Sequence, residues 1–214
     1  MGPEIPSGSS RAVDCELSTV DCASGKFAAN VKIHDQRKTI GVLALQGGFS
    51  AHAAVLEGLG HRTVLVRTAG TLSDLDGLVL PGGESTTMHR LIERFALGPA
   101  LDAFVRAGKP VLATCAGLIL AARRVSQPDQ ASFGWLDVAV ARNGWGRQRD
   151  SFEAQGTMRM VFIRAPRIVA VGPAVEVLER VAGEPVLVRQ GRITAATFHP
   201  ELTGEGRLHA AVFS

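Results

Sequence analysis

From Thr39 onward, short uninterrupted runs of Val, Leu, Ile and Ala alternate with stretches of helical periodicity. That alternation marks a βαβ chain, and it constrains the fold more than any other feature of the sequence. "TIGVLAL", "HRTVLVR", "LDGLVLP" and "KPVLATC" read as strands. A strand with one wet face alternates apolar and polar residues. Continuous apolar runs instead imply cover on both faces, hence a mainly parallel sheet. "SAHAAVLEGLG", "TTMHRLIERFAL" and "PALDAFVRAG" read as helices, the first with Ser50 as N-cap and Gly60 past its end. After Arg124 the texture turns β-like through "WLDVAVAR", "MRMVFIRA", "AVEVLERV" and "EPVLVRQGRITAATFHPE", with "RQGR" as a hairpin turn.

The 214 residues suffice for one large domain with a buried core, placed at 39–214. The first 38 residues, rich in Ser, Gly and Asp and without sustained periodicity, read as a disordered extension. Cys15, Cys22 and His34 within it fit no common zinc spacing. Hydrophobic residues make up 46% and charged residues 20%, an ordinary balance for a globular chain. The apolar runs reach about ten residues, too short to cross a bilayer, so no membrane association is expected. Net charge is +3 with Lys and Arg scattered, which argues against nucleic-acid binding. Three cysteines make no disulfide framework and point to a reducing, cytoplasmic setting.

In a doubly wound sheet, ligands bind beyond the carboxyl ends of the strands. Gln46-Gly47-Gly48, Gly82-Gly83-Glu84-Ser85 and Thr114-Cys115-Ala116-Gly117 all fall there. Cys115 sits where a strand must turn sharply into a helix, the placement that exposes a nucleophile. Free thiols titrate near about 8.5, and a helix end with a nearby imidazolium favours the thiolate. The competing reading of Cys115 is a small buried hydrophobe. "TFHPEL" supplies a base: in an extended segment His199 and Glu201 would share one side, so the carboxylate could orient the ring. The glycine pair at 82–83 either breaks the strand or aims backbone N–H groups at a developing oxyanion. His34, His52, His61, His89 and His209 lack such context. His52 and His89, on predicted helices, are expected to face solvent.

"LQGG", "LPGGESTTM", "TCAGLIL", "RNGWGRQRDSFEA", "FIRAP" and "FHPELT" occur in this order over roughly Thr39 to Arg207. The chain thereby resembles the glutaminase-subunit family of pyridoxal 5′-phosphate synthase, within the class I (triad) glutamine amidotransferases. The resemblance implies a three-layer, flavodoxin-like α/β fold with helices on both faces of the central sheet. It implies Cys115 as nucleophile on the amide of L-glutamine, His199 as base and Glu201 as orienting carboxylate. Backbone N–H groups of Gly83 and Ala116 would form the oxyanion hole. Gly83, Glu84, Ser85, Arg142, Ile163 and Arg164 would line the glutamine site.

Arg142 suits the substrate α-carboxylate through charge-assisted hydrogen bonds, against the alternative of a solvated surface arginine. Glu84 suits the α-ammonium group, or simply caps the helix that starts near Ser85. The resemblance further implies docking on a (β/α)₈-barrel synthase subunit in a large hetero-oligomer that completes the oxyanion hole, with no cofactor or metal on this chain. The chain departs from the family pattern at Ala113, where glycine is usual, and in a shortened segment between "SFEA" and "FIRAP". Alternatives are a triad amidotransferase serving another acceptor, a DJ-1-type cysteine protein, or a degenerate, non-catalytic member.

Overall fold

The structure is a computed structural model that describes residues 37–143 and 151–214. The predicted extension, apart from its last two residues, and the whole of "GWGRQRD" lie outside the described residues. Strands β1 (Thr39–Leu43), β2 (Arg62–Val66), β3 (Gly77–Leu80) and β4 (Val111–Thr114) alternate with helices α1 (Phe49–Gly58), α2 (Ser85–Arg94) and α3 (Gly98–Arg106). Helix α4 (Ala116–Ala121) follows β4 after a single residue, Cys115. The second half is strand-rich: β5 (Ala122–Ser126), β6 (Leu136–Ala141), β7 (Ser151–Gln155), β8 (Arg159–Ile163), β9 (Arg167–Val171), β10 (Glu176–Val181), β11 (Glu184–Gln190) and β12 (Ile193–Ala196). Helix α5 (Arg207–Phe213) ends the described chain.

The central sheet has the order β10-β11-β12-β4-β3-β1-β2. Pairing is parallel from β12 to β2 and antiparallel at β10–β11 and β11–β12, so the sheet is mainly parallel, as its apolar runs require. β3 and β4 are buried throughout. Ile40, Val42, Val79 and Leu112 pack under α1 and α5, against Leu56, Leu208 and Phe213. Leu43, Leu78, Leu80 and Ala113 pack on the opposite face against Met88, Ile92, Leu101, Phe104 and Leu118 of α2, α3 and α4. Two apolar faces with helices on each give three layers. Each fully buried Leu or Ile contributes about 1.5–3 kcal/mol relative to an exposed one.

A smaller sheet, β5-β6-β9, and an antiparallel β7–β8 ribbon flank this core. The segment before "FIRAP" forms the ribbon's turn, where Gly156 N–H reaches Met158 O. The "RQGR" turn links antiparallel β11 and β12, with Gly191 at φ 56°. One cap differs from expectation. Gly48, not Ser50, is the N-cap of α1, because its N–H is tied to Gly82 O at 2.9 Å and fixes where the helix can start. Gly60 does lie beyond the end of α1, at φ 87°.

Candidate active site

Strand register brings the predicted residues to one edge. Thr114 pairs with Ala196 in the parallel β4–β12 ladder, and Cys115 N–H donates to Ala196 O at 2.8 Å. The next residues on each chain are therefore the cysteine turn and, three positions past Ala196, His199. On the other side Leu80 pairs with Ala113, so Gly82 and Gly83 run beside the same turn. β1 lies beyond β3, and its Gln46 loop closes the crevice at the point where strand order reverses, the usual ligand position in such sheets.

Cys115 has φ 47° and ψ −100°, a conformation that costs a non-glycine residue about 1–3 kcal/mol. Strain of that size at an elbow holds the sulfur over the sheet edge instead of inside the strand. Gly117 makes the elbow possible, since a Cβ there would sit 2.1 Å from Leu80 O. Ala113 fits fully buried between Leu80 and Ala195.

His199 is fixed through its backbone, whose N–H donates to Val161 O of β8 at 2.8 Å. Its Nδ1 lies 2.8 Å from Glu201 Oε1, and its ring lies beside the Cys115 side chain, both packed against Gly82. Gly82 leaves room for the ring; a Cβ there would lie 2.3 Å from His199 Cε1. Glu201 is not on an extended segment as its spacing suggested. It sits in the 3₁₀ turn Pro200–Leu202, whose tight winding returns the carboxylate to the imidazole.

Burial opposes charge on His199, but its hydrogen bonds to Cys115 and Glu201 outweigh it and raise the pKa to about 10. Burial likewise works against the Glu201 carboxylate. The hydrogen bond from His199 and the proximity of His52 prevail and hold its pKa below the ordinary value. The three side chains form a line from sulfur through imidazole to carboxylate, with an imidazole that accepts a proton readily.

A cleft of about 280 Å³ opens over Cys115 and His199. Gly83, Glu84, Ser85, Arg142, Ile163 and Arg164 all line it, together with Gln46, Ile119 and Asn143. Ala116, at the first position of α4, adjoins Cys115. Glu84 is the N-cap of α2: its carboxylate accepts from Thr86 N–H at 3.0 Å and Thr87 N–H at 2.7 Å. It also accepts from Arg142 Nη2 at 3.2 Å. Burial would raise its pKa, but the bonds from Thr87 and Thr86 bring it down to about 2. Ser85 is buried and donates to Gln130 Oε1 at 2.7 Å. Gln46 Oε1 accepts from Glu84 N–H at 2.7 Å and joins the two glycine loops. Arg164 holds φ 42°, a second strained residue on the cleft wall.

The expectation that His52 faces solvent is overturned. It is fully buried under the elbow, because the first turn of α1 points into the sheet edge at Gly48. Its Nε2 lies 3.2 Å from Glu201 Oε2 and 3.1 Å from Thr114 Oγ1, and its Nδ1 lies 2.8 Å from His209 Nε2. His209 is equally buried. His89 is half-buried, stacked on Phe133. Among the described residues no group of three or more His, Cys, Asp or Glu could hold a metal ion. No described helix is long and apolar enough to cross a membrane.

The profile of the SNO glutamine amidotransferase family matches residues 42–213, nearly the whole described chain. The chain belongs to the SNO glutamine amidotransferase family. Its similarity to the "Pyridoxal 5'-phosphate synthase subunit PdxT" of Frankia casuarinae is 53% identity over 180 residues, spanning 79% of this chain and 90% of that protein. The subunit of the same name from Shouchella clausii is 48% identical over 179 residues, spanning 80% of this chain and 92% of that one. Among solved structures, a crystal structure of a glutamine amidotransferase matches with a TM-score of 0.76 and 42% identity, over 81% of this chain and 96% of that one. The SNO-family chain thus has the flavodoxin-like, class I amidotransferase architecture that its sheet order describes.

Proposed function

We propose that the chain hydrolyses L-glutamine to L-glutamate and ammonia through Cys115, His199 and Glu201, and delivers the ammonia to a pyridoxal 5′-phosphate synthase subunit. The observation that carries this reading is the cleft at the strained elbow. It is lined by a cysteine beside an imidazole, the imidazole bonded to a carboxylate, and a wall bearing Arg142 and Glu84. Glutamine carries an α-carboxylate and an α-ammonium group. Arg142 and Glu84 supply one partner for each, and Ile163, Arg164 and Ser85 shape the remaining wall.

Cys115 Sγ attacks the side-chain amide carbon as His199 takes the thiol proton. The carbonyl electrons move to oxygen, where backbone N–H groups of Gly83 and Ala116 receive the charge, each such donor being worth about 3–4 kcal/mol. His199 returns its proton to the amide nitrogen, the C–N bond breaks and ammonia leaves. Water, deprotonated by His199, then cleaves the glutamyl thioester to glutamate and restores the thiol. Glu201 keeps the imidazole in the orientation both half-reactions need.

The names of the relatives support a synthase subunit as acceptor of the ammonia, and a (β/α)₈-barrel partner in a hetero-oligomer is the form proposed for it. The test is glutamate release by the purified chain with and without a cognate synthase subunit, beside Cys115→Ala. Stimulation by the partner and its abolition in Cys115→Ala, with binding retained, are expected. Undiminished release by Cys115→Ala would refute the assignment, and equal rates with and without the subunit would remove the partner.

A further inference from the structure

Behind the proposed triad lies a second row of imidazoles that the reaction above leaves unused. His52 and His209 are both fully buried, one on α1 and one on α5, 157 residues apart in sequence. Two imidazoles sealed in an apolar layer are costly unless each polar atom finds work. The carboxylate in front of them selects between the two ways of placing their protons. Glu201 is a carboxylate and only accepts, and its Oε2, buried without a hydrogen-bond partner, lies 3.2 Å from His52 Nε2, so a proton on that nitrogen is the assignment that serves it. A neutral His52 then has a bare Nδ1, which must accept from His209 Nε2–H at 2.8 Å. That leaves His209 Nδ1 without a proton, in keeping with its having no hydrogen-bond partner although buried. Burial keeps both rings neutral, with pKa values of about 4 for His52 and about 3 for His209.

We infer that His52, oriented by His209, is a positioning residue that holds the outer oxygen of Glu201 so that the inner oxygen stays on His199. The carboxylate is flanked at both ends: Oε1 lies 2.8 Å from His199 Nδ1, Oε2 lies 3.2 Å from His52 Nε2, and Gly48 leaves the space it occupies. Thr114, the residue before the nucleophile, contacts the same His52 nitrogen at 3.1 Å and ties the row to the elbow. Without His52 the carboxylate would keep one charged partner and rotate about its side-chain bonds. His52 touches neither the cleft nor Cys115, so its loss acts on turnover and leaves glutamine binding in place. This inference rests on the glutaminase reading.

The experiment has two arms. In the first, ¹⁵N-histidine-labelled full chain is examined by long-range ¹⁵N–¹H correlation at neutral pH, with assignments from His52→Gln and His209→Gln. Both rings should be neutral with the proton on Nε2, and a His209 protonated on Nδ1 would overturn the row. In the second, glutaminase kinetics with the synthase subunit compare wild type, His52→Phe, His52→Gln and His52→Asn. His52→Phe should lower kcat about tenfold to a hundredfold with KM within about twofold, the usual scale for losing a hydrogen bond to a charged group. His52→Gln, whose amide N–H reaches the Nε2 position, should recover most of that, and the shorter His52→Asn should not. A kcat for Gln no better than for Asn, at equal thermal stability, would refute positioning even where the Phe variant fails to fold. An inactive wild type would remove the glutaminase reading, while the tautomers would still decide the row.

Discussion

Replacing Gly82 with alanine should disable the site while leaving the fold standing. Gly82 is not at positive φ, so alanine meets no backbone strain there. Its methyl group, however, would lie 2.3 Å from His199 Cε1 and 2.8 Å from Nδ1, with Cys115 Cβ at 3.3 Å. Carbon atoms pack at about 3.5–4.0 Å, so the imidazole must retreat by more than about 1 Å. It cannot retreat as a unit, because Val161 holds its backbone and Glu201 holds Nδ1.

A misplacement of that size costs about a hundredfold in rate, and overpacking costs about 1–3 kcal/mol of stability. Glutamate release with the synthase subunit should show the fall in kcat. Thermal unfolding should show a modest drop, about 2–4 °C for each kcal/mol. Gly58→Ala, at the end of α1 where an added Cβ meets nothing within 4 Å, is the matched control and should keep wild-type turnover. A Gly82→Ala variant with kcat within about threefold of wild type would show that His199 has slack the distances deny.

Gly117→Ala should act on stability first. Its Cβ would stand 2.1 Å from Leu80 O, on the backbone of a central strand that cannot yield. A loss of at least about 3 kcal/mol by urea unfolding is expected, and a loss under about 1 kcal/mol would mean the elbow can open. Acid should unfold the chain through the buried histidines. The folded pKa values of His52 and His209 lie at about 4 and about 3, below the ordinary 6.5, so between 6.5 and about 4 the unfolded state binds protons that the folded state refuses. The stability they contribute is complete above 6.5 and is lost as pH falls. His52→Gln should flatten the fall in Tm over that window, and an unchanged slope would contradict the burial of a neutral ring.

The sheet and the front of the site were legible because their signals are local. Uninterrupted apolar runs mark β1, β3 and β4, and a cysteine at a strand-to-helix turn, a glycine pair and His-Pro-Glu each carry their chemistry in a few adjacent residues. β5, β7 and β9 were not, because their faces are half exposed: Arg123 and Arg124 interrupt β5, Glu153 interrupts β7, and β9 leaves Val169 and Ala170 exposed. His52 stands among alanines in "AHAAVL", where no contrast between apolar and polar positions tells which way a helical side chain points. Its partners lie 62 and 157 residues away, and only the closed fold introduces them. Glu84 carried two readings in the sequence. The structure shows the cap and, beside it, Arg142, so the carboxylate that starts α2 is also presented to the cleft.

The backbone bond from His199 to Val161 has a further consequence. Val161 belongs to the same strand as Ile163 and leads into Arg164, so the imidazole and that wall of the cleft are carried on one ribbon. A slip of one residue along the strand would turn Ile163 away and drag the ring off its sulfur in the same movement. Grip and reactivity in this chain are inherited together, as two teeth of a single key.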